Sequence, residues 1–79
     1  MPRYFFNTAD GGRDLDQDGT DLPDHSSARV QAVQFAGMAL SDEPTFLLDG
    51  GEFRVEVTDQ EGVLLFSVIM LAVDAVMVQ

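Results

Sequence analysis

The chain has 79 residues, a length that suits one small domain, and 46% of them are hydrophobic, which excludes a disordered tail. Four Arg against fourteen Asp and Glu give a formal net charge of −10, which disfavours direct binding to nucleic acid or to an anionic membrane. The absence of Cys excludes disulfides and zinc–thiolate sites.

The apolar segments are too short for membrane insertion or secretion. The longest run, VLLFSVIMLAV at residues 63–73, is well short of the roughly 20 residues that a membrane-spanning helix needs. The start, MPRYFFNTADGG, has too short an apolar run for a secretory signal. We therefore expect a cytoplasmic location.

The first half of the chain predicts two strands and a helix. RYFF, followed by the turn sequence DGG, predicts a strand over about residues 3–8, and a shorter strand is expected between Arg13 and Leu22. A helix follows, with Asp24 as its N-cap and its end before Pro44. The residues expected on its buried face are Ala28, Ala32, Phe35, Ala36, Ala39 and Leu40.

The second half predicts a β-hairpin. EFRVEVT at residues 52–58 alternates apolar and polar side chains, which is typical of a strand with one buried face. DQEG at residues 59–62 turns the chain, and VLLFSVIM returns as the partner strand. The element order is β-β-α-β-β, which predicts an α+β fold with one helix packed on one face of an antiparallel sheet.

The acidic segment RDLDQDGTDLPD at residues 13–24 allows a calcium-binding interpretation. Asp14, Asp16, Asp18 and Gly19 match the first half of an EF-hand loop. The position that needs a bidentate Glu is occupied by His25, which excludes a complete helix–loop–helix site. A looser calcium site would recruit the neighbouring carboxylates and a carbonyl oxygen, namely Asp21 or Asp24 and the Thr20 carbonyl.

The other interpretation of this segment is an acidic turn. DQDG at residues 16–19 is similar to DQEG at 59–62, where the Asp accepts hydrogen bonds from its own backbone and the Gly takes a positive φ. We favour the turn and predict no metal site, with Asp14, Asp16 and Asp18 as the ligands of the calcium alternative.

No catalytic residue is predicted. The single His, His25, precedes Ser26 and Ser27, but consecutive helical residues point in different directions and do not form a catalytic triad. Polar residues are common in a first helical turn, where backbone N–H groups are free. The sequence therefore predicts a protein that is not an enzyme and needs no cofactor.

The last strand predicts a protein interface. Its two faces are both apolar, whereas a single helix covers only one face of a sheet. We predict a homodimer that buries this strand; the alternative is that one subunit covers both faces itself. The predicted interface residues are Leu65, Phe66, Val68, Ile69, Met70 and Leu71.

Several motifs together resemble a family of short bacterial domains of unknown function. They are MPRYFF at the start, an acidic D-x-x-G segment before LPD at residues 22–24, Ala28-Arg29, and VTD-x-E-G at residues 57–62. The resemblance extends from Pro2 to about Val76, although relatives commonly have His where this chain has Asn7. It implies no established activity, ligand or catalytic residue.

Two further partners follow from layout and charge. The hairpin and the LPD-led helix are similar in arrangement to antitoxin domains of the HicB type, which bind protein toxins. The net charge of −10 would also attract a basic protein. An antitoxin-like or acidic decoy role is thus a third alternative, beside homodimerisation and calcium binding.

Overall fold

A computed structural model of the protein describes residues 1–9, 13–48 and 51–75. These residues form an antiparallel sheet and one long helix, which confirms the predicted α+β fold. A short 3-10 helix at Pro44–Leu47 follows the long helix. The elements in chain order are β1 (Arg3–Ala9), β2 (Arg13–Asp14), β3 (Thr20–Asp21), α1 (His25–Asp42), β4 (Glu52–Thr58) and β5 (Leu64–Leu71).

The sheet has β1 and β4 at its centre. Strand β1 pairs with β2 and β3 on one side and with β4 on the other, and β4 pairs in turn with β5. In the register of the central strands, Phe6 lies opposite Val57, and Val55 lies opposite Val68. Within the described ranges, β5 has a neighbour on one side only and is an edge strand.

The strand expected between Arg13 and Leu22 is divided into the two-residue strands β2 and β3. Between them, the chain leaves the sheet in a turn, and the Asp16 carboxylate accepts a hydrogen bond from the Phe6 N–H at 3.2 Å. A side chain thus replaces the backbone carbonyl that a continuous strand would offer.

The core lies between α1 and one face of the sheet. Ala28, Ala32 and Ala36 of the helix are fully buried, and Phe35, Ala39 and Leu40 are partly buried against them, as predicted. Because alanine has only a methyl side chain, this stripe lets the helix lie close to the strands. The side chains of the sheet that are buried in this core are Tyr4 and Phe6 of β1 and Phe53, Val55 and Val57 of β4.

The ends of α1 are where the sequence places them. Asp24 is the N-cap, and its Oδ1 accepts a hydrogen bond from the Ser27 N–H at 2.8 Å. This bond lowers the pKa of the Asp24 carboxyl. At the other end the helix stops at Asp42, two residues before Pro44. No helix in the described ranges is long and apolar enough to span a bilayer.

The β4–β5 hairpin turns at residues 59–62, as predicted. Asp59 Oδ1 accepts hydrogen bonds from the N–H groups of Glu61 at 2.9 Å and Val63 at 3.0 Å, and Gly62 has a φ of 81°. Just beyond the turn the register shifts, so that Thr58 pairs with Leu64 rather than with Leu65. This irregularity breaks the simple alternation expected for the first residues of β5.

Candidate functional site

Strand β5 places the six predicted interface residues on both faces of the sheet edge. Phe66, Val68 and Met70 lie on the face that carries the helix and are half-buried against the core. The side chains on the other face remain exposed to solvent, with exposed fractions of 38% for Leu65, 47% for Ile69 and 55% for Leu71.

Exposed hydrophobic side chains are concentrated around this strand. Of the twelve large hydrophobic side chains that are exposed in the described residues, eight lie in β5, within two residues of its ends, or on the side of α1 nearer to β5. A concentration of this kind distinguishes an interaction surface from the scattered apolar residues of an ordinary surface. The eight are Val30, Val33, Val63, Leu64, Leu65, Ile69, Leu71 and Val73.

The segments that form this surface are free of acidic residues. Residues 25–41 and 63–73 contain no Asp or Glu, although the chain has fourteen. Two side chains from the first turns of α1 lie here: the Arg29 guanidinium is 5.4 Å from the centroid of the Phe66 ring, and the His25 ring is 4.8 Å from it. An apolar, acid-free surface on a protein of charge −10 can meet another protein without burying carboxylates.

Arg54 lies on the face of the sheet that α1 does not cover. Its guanidinium lies between two carboxylates of the same strand, with an ion pair to Glu52 and a 3.6 Å contact between Arg54 Nη1 and Glu56 Oε2. In the sheet register Arg54 is directly opposite Ile69 of β5. A charged strip thus borders the exposed apolar residues of β5, as the rim of an interface does.

The acidic segment forms a turn organised by Asp16. The Asp16 Oδ1 accepts the N–H groups of Asp18 and Gly19, both at 3.1 Å, and its Oδ2 accepts the N–H of Phe6 at 3.2 Å. Partial burial opposes ionisation, but the three N–H donors outweigh it and lower the pKa of Asp16. With Gly19 at a φ of 74°, the turn has the same design as the one at residues 59–62.

Two residues to which the sequence analysis assigned no structural role connect this turn to the sheet. Buried Asn7 accepts the Asp16 N–H at 2.9 Å, and its amide donates to the Glu56 carbonyl on β4 at 3.3 Å. Arg3 pairs with Asp21 at 3.0 Å. A polar Asn inside the aromatic strand was the available signal, because strands are depleted in Asn.

The structure does not bring the candidate calcium ligands together. In residues 1–9, 13–48 and 51–75, no group of three or more His, Cys, Asp or Glu is arranged to hold a metal ion. Asp16 directs its oxygens to backbone N–H groups, and Asp21 is paired with Arg3. Calcium binding through Asp14, Asp16 and Asp18 stays an alternative to the acidic turn, and a calcium titration tests it.

We expect calcium up to about 1 mM, the upper end of the affinity range of calcium-binding modules, to leave the amide resonances of residues 14–21 unmoved. The physical reason is that binding through Asp16 would have to break hydrogen bonds that hold the turn. Two-dimensional NMR spectra recorded during a calcium titration measure this directly. Saturable shifts confined to residues 14–21 at micromolar calcium would instead establish the metal site.

Comparisons with known proteins identify the family but no better-characterised relative. The searches of curated proteins and of solved structures gave no match. A family model described as a domain of unknown function, DUF6894, matches residues 3–72, which include strands β1 to β5 and helix α1 as the structure describes them. The chain therefore belongs to the DUF6894 family of domains of unknown function.

Proposed function

We propose that this chain is a non-enzymatic, cytoplasmic protein-interaction module that forms a homodimer through β5. The observation that supports the proposal is that β5, among the strands of the described residues, is at the edge of the sheet and has apolar side chains on both faces, of which α1 covers one. Pairing with a second copy extends the sheet across a two-fold axis and covers the exposed edge of both subunits.

An edge strand that stays exposed in a monomer is rarely as apolar and uncharged as β5. Edge strands present free backbone N–H and C=O groups, and monomeric proteins protect them with charged residues, Pro or a covering segment. The β5 sequence LLFSVIML has neither a charged residue nor Pro over its eight residues. Antiparallel pairing with another β5 would satisfy these backbone groups and bury Leu65, Ile69 and Leu71 at the same time.

The substitution Ile69→Glu tests the proposal. In the monomer the new carboxylate faces solvent opposite Arg54, so we expect the fold to be retained. In the dimer the new carboxylate is buried or lies next to the same carboxylate of the partner subunit. We therefore expect the dissociation constant of the dimer to rise by at least about tenfold. Sedimentation velocity over a series of protein concentrations distinguishes the monomer mass from the dimer mass. NMR tumbling times measured on the same samples check the result.

Met38→Glu is the matched control, because it adds the same charge at an exposed apolar position on the side of α1 away from β5. It should leave the dissociation constant nearly unchanged. Added salt should tighten the dimer, since it screens the repulsion between two chains of charge −10. A wild-type protein that remains monomeric up to about 1 mM would contradict the proposal.

The salt response also separates this proposal from the acidic decoy and antitoxin-like alternative. Binding of a basic partner by a protein of charge −10 weakens as salt is added, because the attraction is electrostatic. Self-association through an acid-free apolar surface instead becomes stronger as salt is added. Measuring both at low and high salt therefore distinguishes the two kinds of partner.

A further inference from the structure

We infer that one side of α1 forms the second half of the dimer contact, packing antiparallel against the same side of α1 in a second copy. This inference rests on the proposed function, since it places both contacts around one two-fold axis. The residues concerned, called the helix flank below, are Ser26, Val30, Val33 and Gly37.

The helix flank is a second apolar stripe, and it is not buried within one subunit. Its residues follow a 4-3-4 spacing, which aligns side chains along one line of a helix, as at a helix–helix contact. The stripe is separate from the buried alanines, and 58% of Val30 and 47% of Val33 are exposed. Gly37 is also exposed, and a Cβ added there would meet nothing within 4 Å.

The helix flank lies on the β5 side of the helix. Arg29 covers Phe66, and Val33 is one turn further along the same side of α1. Ser26, Arg29, Val30 and Val33 together line a shallow, mainly apolar depression on the surface. The stripe is therefore continuous with the exposed edge of the sheet.

The direction of α1 fits a two-fold arrangement. The helix begins beside Phe66, where His25 contacts the ring, and it leads into the 3-10 helix where Phe46 stacks on Phe53 at 5.3 Å. Because Phe53 pairs with Met70, the helix runs along β5 in the direction from Phe66 to Met70. If two β5 strands pair antiparallel, the two helices also lie side by side and antiparallel.

The spacing between the two helices is that of a packed pair. Within the described residues, α1 packs on β4 and β5. Neighbouring strands are about 4.8 Å apart, so a helix over this pair lies about 5 Å from an axis that runs between two β5 strands. The two helix axes are then about 10 Å apart, at the upper end of the usual 8–10 Å for packed helices. Strand pairing alone thus brings the two flanks into contact.

Gly37 gains a role in this arrangement. If the two-fold axis passes the midpoint of α1, which lies between Val33 and Gln34, Val30 is opposite Gly37 of the partner subunit. Because Gly37 has no side chain, it leaves room for this valine. The contact would explain why a glycine, which weakens helix formation, stands at an exposed position in the middle of α1. The acid-free sequence of residues 25–41 keeps carboxylates out of the contact.

The substitution Gly37→Gln tests the inference, because it should stabilise the monomer and weaken the dimer. In the monomer, glutamine is the better helix former and meets no neighbour, so the denaturation midpoint at low protein concentration should rise. In the dimer its side chain occupies the space of Val30, and the dissociation constant should increase by at least about tenfold. Val30→Gln is a second variant with the same expected loss of dimer.

Met38→Gln is the control for both variants, because Met38 is exposed on the far side of the same helix. A dimer that dissociates with Ile69→Glu but retains wild-type affinity with Gly37→Gln and Val30→Gln would overturn the inference and leave strand pairing intact. A monomeric wild-type protein would overturn the proposed function itself. Weaker dimers from both flank variants, with a raised midpoint for Gly37→Gln, would support the inference.

Discussion

Replacing Gly19 by alanine is expected to reduce the free energy of unfolding by about 2–4 kcal/mol, measured by chemical denaturation at low protein concentration. Part of this loss is backbone strain, because Gly19 has a φ of 74°. The rest is steric, since a Cβ there would lie 2.8 Å from Arg3 Cγ and 2.9 Å from Phe5 Cε2. Arg3 could make room only by weakening its bonds to Asp21 and to the Asp18 carbonyl.

Gly62→Ala is the matched control for this prediction. Gly62 has a similar φ of 81°, but a Cβ there would have no neighbour within 4 Å. It should therefore show the backbone cost alone, about 1–2 kcal/mol. Equal losses at the two positions would mean that the acidic turn is not packed against β1 as described.

Replacing Asp16 by asparagine is the second substitution with a large expected effect. The amide would direct an NH₂ group at one of the backbone N–H groups that the carboxylate now accepts, such as that of Phe6. We expect a loss of about 1–3 kcal/mol at pH 7, the usual result of leaving a partly buried donor unsatisfied. Asp14→Asn removes the same charge from an exposed position and should change stability by less than about 0.5 kcal/mol.

The same pair of variants gives a defined pH dependence. The folded-state pKa of Asp16 lies below its unfolded value, which is about 3.9. Its contribution is therefore complete above that pH and disappears as the pH falls through the lower, folded-state pKa. The stability difference between wild type and Asp16→Asn should narrow below about pH 4. A difference that is constant from pH 7 to pH 3 would contradict the role assigned to Asp16.

The helix and the hairpin could be predicted because their signals are local. The alternation of EFRVEVT gives β4 the same bounds that the structure shows, residues 52–58. The alanine stripe and the Asp24 cap likewise identify the buried face and the start of α1. In each case the residues that determine the element are close together in sequence.

The connection between the acidic turn and the sheet could not be predicted from such patterns. Asn7 bonds to residues 9 and 49 positions away, so no local periodicity reports the contact. The same holds for Arg3, which finds Asp21 eighteen residues along the chain. Where the expected second strand is interrupted, the side chains of Asn7 and Asp16 accept hydrogen bonds from backbone N–H groups. The strand is therefore divided into two short ones.

The candidate interaction surface was predictable in composition but not in arrangement. The apolar residues on both faces of β5 are evident from the sequence, and they suggested an interface. That β5 is an edge strand depends on strand order, which the sequence pattern does not encode. The position of Val30 and Val33 beside this edge depends on how α1 is rotated over the sheet.

The unprotected edge of β5 also sets the conditions under which this protein would form fibrils. LLFSVIML combines high β propensity with no charge and no Pro, which is the composition of segments that stack into cross-β assemblies. Opposing this are Glu61 and Asp74, which flank the segment as charged gatekeepers, and the net charge of −10. The net charge falls to zero as the pH approaches the isoelectric point near 4.1, so acidification removes the repulsion between chains that keeps these edges apart.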